Sequence, residues 1–289
     1  SLNACKPLNL KTELLLNPNF AWGPPGSLSR FAGVPDGSEG LLLAELLAKA
    51  DAPLLHVSSD DLGMNRLAEA VAFFAPNSRI VKFPAWDCLP YDRVPPRAEL
   101  VAERMATLDA LSRETVGAMP DLVLTTVAAI LQRVPPRDRI TAARIELATG
   151  QMLDFAAVMS FLGANGFHRT ETVREPGEFA SRGDIIDIFP PGNSEPVRID
   201  LFGDEIEGLR SFDPLNQLTI KTIKQLTLLP ASEILLDDDT TANFRTAYRA
   251  RFGAVRGNDP LYEAVSESAR HPGMEHWLPL FYAAPETLF

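Results

Sequence analysis

The segment at 177–213 carries the side chains of this chain that are best suited to contact another molecule. It reads GEFASRGDIIDIFPPGNSEPVRIDLFGDEIEGLRSFD and alternates carboxylates and arginines with isoleucine, leucine and phenylalanine. A strand places successive side chains on opposite faces. In VRIDLF, Arg198, Asp200 and Phe202 therefore share one face, and the aliphatic residues between them share the other. If the aliphatic face meets the core, the first face presents arginine and phenylalanine, which serve as anchors in protein interfaces.

Arg182 belongs to the preceding strand and is close enough, in an antiparallel meander, to join this face. The same residues also allow a purely structural interpretation. Phe202 would then cover a sheet edge, and the arginines would pair with Glu178, Asp184 or Asp200. The pattern by itself leaves both interpretations open.

A nucleotide site would need a phosphate-binding loop of the form G-x-x-x-x-G-K-[ST], whose backbone and lysine hold phosphates and whose hydroxyl holds magnesium. The nearest segment, GVPDGSEGLLLAEL at 33–46, has glycines before a helix but no lysine after them. Asp36 and Glu39 also place negative charge where phosphate must bind. The strand LVLTT ends in threonines where a hydrolase needs an acidic pair. We therefore expect no nucleotide cofactor and no catalytic residues.

Other sites for chemistry have equally little support. The scattered candidate ligands are His56, His168, His271, His276, Cys5 and Cys88. Their spacing is not typical of a metal site or a disulfide framework, so we expect no bound metal and histidines at the surface. Ser58, Ser59 and Asp60 form no nucleophile elbow. The arginines of QRVPPRDRITAAR favour a solvated linker over a phosphate contact.

Composition limits the class of protein. With 289 residues, 46% of them hydrophobic, the chain is long enough for about two domains with proper cores. The net charge of −11 argues against a chain that coats nucleic acid through its overall charge. No apolar run reaches the roughly 18 residues that a membrane span needs. Low cysteine use predicts a cytoplasmic location, and the missing initiator methionine indicates a fragment of a larger protein.

The elements that must position these residues fall into three regimes. Between 38 and 143, helices alternate with short apolar strands, which predicts a parallel α/β sheet. Ser38 and Asp60 or Asp61 are candidate caps for its first helices.

From 144 to 230, one helix precedes strands near 167–175, 178–190, 196–203, 204–213 and 218–229. The pair Gly203-Asp204 indicates a hairpin, and the whole predicts an α+β domain on an antiparallel sheet. From 231 to 289 we expect helical and irregular chain, with Asp238 and Asp239 capping a helix and no large core. Residues 1–37 are expected to pack with this last part.

Three motifs carry a resemblance to a known family. They are PAWDCLPYDRVPPRAELVAERMATLDAL at 84–111, the segment at 177–213, and QLTLLPASE at 225–233. Together they resemble the N-terminal module of the bacterial transcription-repair coupling factor family, Mfd, from about residue 30 onward. The second motif is shared in part with the excision-repair protein UvrB. UvrB has an intact phosphate-binding loop and, after LPYD, a long aromatic hairpin that grips damaged DNA; this chain has neither.

The resemblance implies a binding module of a large ATP-dependent DNA translocase. Such a parent displaces RNA polymerase stalled at DNA lesions and recruits UvrA, and its motor and polymerase-binding parts lie downstream of this module. The first domain would then be a degenerate helicase-like or RecA-like nucleotide-binding fold, with the α+β domain inserted into it. In this family UvrA docks on the α+β domain, and the matching positions here are Arg182, Arg198 and Phe202. Other implied contacts are with further domains of the parent, not with a membrane.

Three functions from different classes follow from these observations. The first is a non-catalytic adaptor that binds UvrA, the second a UvrB-like ATP-dependent enzyme that processes DNA damage, and the third a nucleotide-binding module without a repair role. The missing lysine after Gly40 favours the first over the second. For the adaptor we expect Arg182→Ala, Arg198→Glu and Phe202→Ala to weaken UvrA binding with the fold intact.

Overall fold

Helices and strands are mixed throughout the computed structural model, which describes residues 21–24, 26–35, 37–89, 94–113, 119–255 and 259–288. Its α-helices are α1 (Glu39–Leu47), α2 (Asp61–Phe74), α3 (Ala98–Ser112), α4 (Val127–Ile130), α5 (Arg137–Ala142), α6 (Phe155–Ala164), α7 (Asp238–Phe252), α8 (Pro260–Ser266) and α9 (Leu278–Phe281). A 3₁₀ helix covers Met274–Trp277. The strands are β1 (Leu54–Ser58), β2 (Ile80–Phe83), β3 (Leu122–Thr126), β4 (Ile145–Ala148), β5 (His168–Arg169), β6 (Glu178–Arg182), β7 (Ile185–Ile188), β8 (Val197–Phe202), β9 (Glu205–Phe212), β10 (Thr219–Ile223) and β11 (Gln225–Leu228). None of the helices within these ranges is long and apolar enough to cross a membrane.

The first part of the chain forms the predicted parallel sheet, with the strand order β1-β3-β2. The central strand β3 is buried at every position, whereas the edge strand β1 leaves Leu55 and Val57 exposed. One face packs against α1 and α2 through Leu122 and Leu124, and the other packs against α3 through Phe83. The prediction of a parallel α/β sheet is confirmed.

The two helices on the first face are positioned by their N-terminal residues. Asp60 caps α2, because its carboxylate accepts a hydrogen bond of 2.7 Å from the N–H of Gly63. Ser38 precedes α1 as predicted, but its hydroxyl makes no capping bond. Gly40 lets α1 approach α2 closely, since a Cβ atom there would lie 2.4 Å from that of Ala70.

A six-stranded sheet follows, in the order β10-β9-β8-β7-β6-β5. Strands β6 to β10 form an antiparallel meander, and β5 pairs with β6 in parallel. One face is covered by α6 and carries the core residues Leu162, Ile186, Ile188, Val197, Ile199, Ile206 and Leu209. The predicted antiparallel α+β arrangement is confirmed.

Strand boundaries in this sheet differ from the prediction at three places. The stretch 178–190 is not one strand but the hairpin β6–β7, which turns at Gly183 with a positive φ of 58°. The stretch 218–229 contains two strands, and β11 leaves the large sheet to pair with β4. The strand predicted at 167–175 is reduced to the two residues of β5, because Val173 packs instead on the sheet face opposite α6.

The C-terminal part has more of a core than we predicted. Aromatic side chains of α7, α9 and the chain between them pack together, with Phe244 stacked on Phe281 at 4.6 Å between ring centroids. The predicted caps of α7, Asp238 and Asp239, are wrong, because both lie within the helix and the cap is the residue before them. Asp237 is the cap, since its carboxylate accepts from the N–H of Thr240 at 2.9 Å while the Thr240 hydroxyl accepts from the N–H of Asp237 at 2.9 Å.

A buried ion pair joins the parallel-sheet part to the chain that leaves β11. The guanidinium of Arg104 on α3 is fully buried and donates to both carboxylate oxygens of Glu233, at 2.5 and 2.9 Å. Arg104 also donates to the carbonyl of Pro84 and the amide of Gln132, and the indole N–H of Trp86 donates to Glu233. Every charge in this contact therefore has hydrogen-bond partners, as burial of an ion pair requires.

Candidate functional site

The three residues selected from the sequence lie on one face of the six-stranded sheet, opposite α6. Arg182 is the last residue of β6, and Arg198 and Phe202 are the second and last residues of β8. Between them on β8, Ile199 is buried and Leu201 packs against the core. The alternation predicted for β8 is therefore confirmed. We call the surface around Arg182, Arg198 and Phe202 the outer face.

Two tight turns expose one end of the outer face. The hairpins β6–β7 and β8–β9 turn at Gly183 and Gly203, whose φ values of 58° and 61° favour glycine. The two turns lie side by side, because the N–H of Leu201 donates to the carbonyl of Asp184 at 2.8 Å. Phe202 lies at this end and is 78% exposed. Its strand β8 lies inside the sheet between β7 and β9, so the interpretation that Phe202 covers a sheet edge is wrong.

Arg198 is held by an acidic residue of the neighbouring strand. Its guanidinium donates to both oxygens of Asp187, which stands directly opposite on β7, at 2.7 and 2.8 Å. Its Cζ atom also lies 5.0 Å from the ring centroid of Phe212. The hydrogen bonds to Asp187 raise the pKa of Arg198 above its usual value. Only 23% of the Arg198 side chain is exposed, so much of it is already engaged within the sheet.

A second pair of the same kind lies beside the first. Arg210 on β9 donates to Asp200 on β8 at 2.7 and 2.9 Å. The sequence suggested Glu178, Asp184 or Asp200 as partners of the arginines, and for Arg198 this is wrong. Asp187 was missed because 178–190 was interpreted as one strand. The alternation in IIDIF, with isoleucines on either side of Asp187, was the signal that places this carboxylate on the outer face.

Arg182 differs from Arg198 because no carboxylate holds it among the described residues. Its side chain is exposed and donates to the backbone carbonyl of Glu171. Ile185 stands opposite Arg182 on β7, and Asp200 stands opposite Ile185 on β8. Arg182 and β8 are therefore two strand spacings apart, about 10 Å. The sheet brings the three predicted residues onto one face but not into mutual contact.

The other end of the outer face is not open to solvent. Val173, Ala180, Phe189 and Phe212 form a small buried cluster there. The amide of Gln217 donates to the carbonyl of Val173 at 3.1 Å and ties the overlying loop to the β9–β10 connection. The accessible part of this face is thus confined to the end that carries Arg182, Ile185 and Phe202.

The segments considered for nucleotide binding have structural uses. Gly33 and Gly37 have positive φ values of 75° and 83°, and Asp36 lies outside the described residues. At the end of β3, the hydroxyl of Thr125 donates to the carbonyl of Phe83 at 2.8 Å. The hydroxyl of Thr126 caps α4 by accepting from the N–H of Ala129 at 3.2 Å.

The remaining candidates are dispersed. No group of three or more potential metal ligands comes together within the described ranges. Half-buried positions are found for His56, His271 and His276, contrary to the surface position predicted for them, whereas His168 is exposed. Burial lowers the pKa of His56. The Sγ atom of Cys88 lies 3.7 Å from Nε2 of His276, and Cys5 is outside the described residues.

The arginine-rich stretch 132–144 is not a solvated linker. It forms α5, whose Ile140 is buried against the core beneath the parallel sheet. Arg139 forms ion pairs with Asp237 and Asp239. The Nε atom of Arg144 lies 3.1 Å from Oε1 of Glu146. These arginines therefore connect parts of the chain.

Comparison with known proteins agrees with the resemblance. Residues 145–234, which contain the outer face, match the UvrB interaction domain. A transcription-repair-coupling factor of Haemophilus influenzae is 31% identical over 92% of this chain and 23% of its own length. Those of Escherichia coli and Rickettsia prowazekii are 31% and 34% identical over 84% and 81% of this chain, and 21% and 20% of their own lengths. The chain thus spans about a fifth of these relatives, and it is similar over most of its own length to the UvrB-like N-terminal module of transcription-repair-coupling factors.

Proposed function

We propose that this chain is a non-catalytic binding module that recruits UvrA in transcription-coupled DNA repair, and that UvrA docks on the outer face. The observation that carries the proposal is the exposed side chain of Phe202, which shares the outer face with Arg182 in the segment that matches the UvrB interaction domain. An exposed aromatic ring with an arginine nearby is the combination that dominates binding energy in many protein interfaces.

The three residues have different tasks in this proposal. Phe202 enters an apolar pocket of the partner, and Arg182 meets a carboxylate there. Arg198 contributes from within its pair with Asp187, which keeps its guanidinium at a defined place on the sheet. A partner that covers this end of the face removes water from the pairs Arg198–Asp187 and Arg210–Asp200, and this strengthens their hydrogen bonds.

Titration of purified UvrA with single-residue variants tests the proposal. Phe202→Ala should weaken binding about thirtyfold or more, as loss of an anchor of about 2 kcal/mol does. Leu215→Ala is the matched control, because Leu215 is 84% exposed but lies on the β9–β10 connection at the other end of the sheet. Equal affinity of the Phe202→Ala, Arg182→Ala and control variants, all with unchanged melting temperatures, would exclude this face.

The parallel-sheet part is, in this proposal, a degenerate helicase-like or RecA-like nucleotide-binding fold. Three parallel strands flanked by helices support it, as does the structural use of Thr125 and Thr126 where such a fold would place acidic residues. No lysine follows Gly40 at the first helix. Calorimetry with ATP and magnesium should detect neither binding at micromolar concentration nor turnover.

The larger setting follows from the relatives and is also a proposal. The full-length protein is an ATP-dependent DNA translocase that acts on stalled RNA polymerase, and it contacts polymerase and DNA through parts outside this chain. We divide the present chain at 37/38, 143/144 and 230/231, with the outer face in the second of the two sheet domains. The first of these parts includes residues 1–20, which lie outside the described ranges.

A further inference from the structure

We propose that the docking surface extends from Phe202 to Glu205 and Met152, and that the partner meets these three side chains with apolar groups and one lysine or arginine. We call Met152, Glu205 and Phe202 the rim row. The inference rests on the proposed function, because it enlarges the same face and names the chemistry of the surface that binds there.

Strand pairing places the three residues in one line. Phe202 stands opposite Glu205 across the β8–β9 hairpin. On the other side of Glu205, Met152 forms an isolated antiparallel bridge with it. Residues directly opposed in antiparallel pairs point to the same side of a sheet, with Cβ atoms about 5 Å apart. The three side chains therefore form a continuous row.

The neighbours of the rim row show which way it points. The chain neighbours of the row all pack in the core against α6: Leu153 follows Met152, Ile206 follows Glu205, and Leu201 precedes Phe202. The row consequently points away from that core, and Met152 is 66% exposed. The segment that carries Met152 is held in place, since the N–H of Leu153 donates to Asp204 at 2.7 Å and that of Ile206 donates to Gln151 at 2.9 Å.

Charged side chains surround the rim row, and they differ from one end of the docking surface to the other. Glu205 is exposed, and none of the ion pairs among the described residues involves it. Asp184 and Asp204, in the two adjacent turns, are also exposed. Arg182 lies on the far side of Ile185, so this surface has an arginine beside Asp184 at one end and the carboxylates of Asp204 and Glu205 towards the Met152 end. Carboxylates at this end repel phosphate, which favours a protein partner over a nucleic acid.

The complementary surface follows from these features. It has apolar side chains over Met152, Ile185 and Phe202, a basic side chain against Glu205 and an acidic one against Arg182. This arrangement favours one orientation of the partner, since the reversed orientation places its basic group against Arg182 and its acidic group against Glu205.

Titration calorimetry with purified UvrA, using the whole 289-residue chain, tests the rim row. Glu205→Lys should weaken binding about tenfold or more, and Met152→Ala about fivefold. Glu205→Gln should have a smaller effect than Glu205→Lys, because it removes attraction without adding repulsion. Glu69→Lys, an equal charge change on the exposed side of α2, and Leu215→Ala should both bind like the parent chain. Melting temperatures of all variants should match the parent, since the altered side chains are exposed.

The outcomes separate this inference from the proposed function. If Phe202→Ala weakens binding while Met152→Ala and Glu205→Lys do not, the extension of the docking surface to Met152 and Glu205 is wrong. The proposal that UvrA docks on the outer face then still stands. Tighter binding by Glu205→Lys would contradict the proposal that a lysine or arginine of the partner lies against Glu205. If neither Phe202→Ala nor the rim-row variants change the affinity, both proposals fail together.

Discussion

Arg198 shows at the scale of a single residue why exposure and charge must be considered together. From the sequence it is an arginine on an outward face, equivalent to Arg182. In the fold it is mostly covered, paired at two oxygens with Asp187 and placed over Phe212. A substitution at this position therefore changes the sheet as well as the surface, and our expectation that Arg198→Glu leaves the fold intact needs revision.

We predict that Arg198→Glu lowers the free energy of unfolding by about 2 kcal/mol, because hydrogen bonds to a charged group are lost and two carboxylates are then opposed. The exchanged pair, Asp187→Arg with Arg198→Asp, should recover most of this stability. Urea denaturation of the single and double variants measures both effects. UvrA affinity of the exchanged pair then distinguishes two roles: recovery means that Arg198 acts through its pair, and continued loss means that its charge contacts the partner directly.

At the scale of elements, short polar signals decide where helices begin and strands turn. The dipeptide Gly-Asp occurs at both turns of the outer face, at 183–184 and 203–204. At α7 the sequence led us to Asp238 and Asp239, which lie within the helix. The preceding Asp237 has the extended backbone, with φ −135° and ψ −177°, that lets its side chain reach Thr240.

The cap of α7 leads to a prediction with an internal control. Asp237→Ala should lower the free energy of unfolding by about 1 kcal/mol, and Asp237→Asn should lower it less, because asparagine is also a good cap. Asp238→Ala should have a smaller effect than Asp237→Ala, since Asp238 lies within the first turn and makes no cap. Thermal melts of the three variants provide the measurement, and equal losses at 237 and 238 would contradict the assignment of the cap.

At the scale of the whole molecule, the pair Arg104–Glu233 connects the parallel-sheet part with the chain that returns from the six-stranded sheet. Tyr282 adds to this contact, because its hydroxyl donates to the carbonyl of Glu233 at 2.8 Å and accepts from the N–H of Leu235 at 3.1 Å. Burial raises the pKa of Tyr282. These contacts hold the chain that follows β11 against α3 and the C-terminal part.

We predict that Glu233→Ala lowers the free energy of unfolding by about 3–5 kcal/mol, since it leaves a buried guanidinium without its carboxylate. Glu103→Ala is the control, because Glu103 pairs with Lys82 at 2.8 Å near the surface and such pairs contribute about 0–1 kcal/mol. Chemical denaturation followed by tryptophan fluorescence compares the two. A loss below about 1 kcal/mol for Glu233→Ala would contradict the contribution to stability that we assign to this pair.

The charge of the whole chain leads to a last prediction. A net charge of −11 should give weak or no binding to duplex DNA at physiological salt, because sequence-independent affinity depends on lysines and arginines that neutralise phosphates. Several arginines are moreover engaged with carboxylates, among them Arg139, Arg198 and Arg210. Fluorescence anisotropy at two salt concentrations checks this, and tight binding that weakens steeply with added salt would reveal a basic surface.

The sequence by itself determined the features that depend on local patterns. Alternation of period two in VRIDLF determined which side chains of β8 point outward, and apolar strands between helices determined the parallel sheet. The missing lysine after Gly40 is likewise a property of the sequence alone. These conclusions hold because side-chain direction along a strand is fixed by backbone geometry.

Only the tertiary structure decided what lies next to each outward side chain. Strand register made Asp187 the partner of Arg198, and a bridge between residues about 50 apart in the chain made Met152 a neighbour of Glu205. The ion pair Arg104–Glu233 joins residues still farther apart. Pairings of this kind depend on how the sheets and helices pack, and packing over such separations leaves no periodic signal in a single sequence.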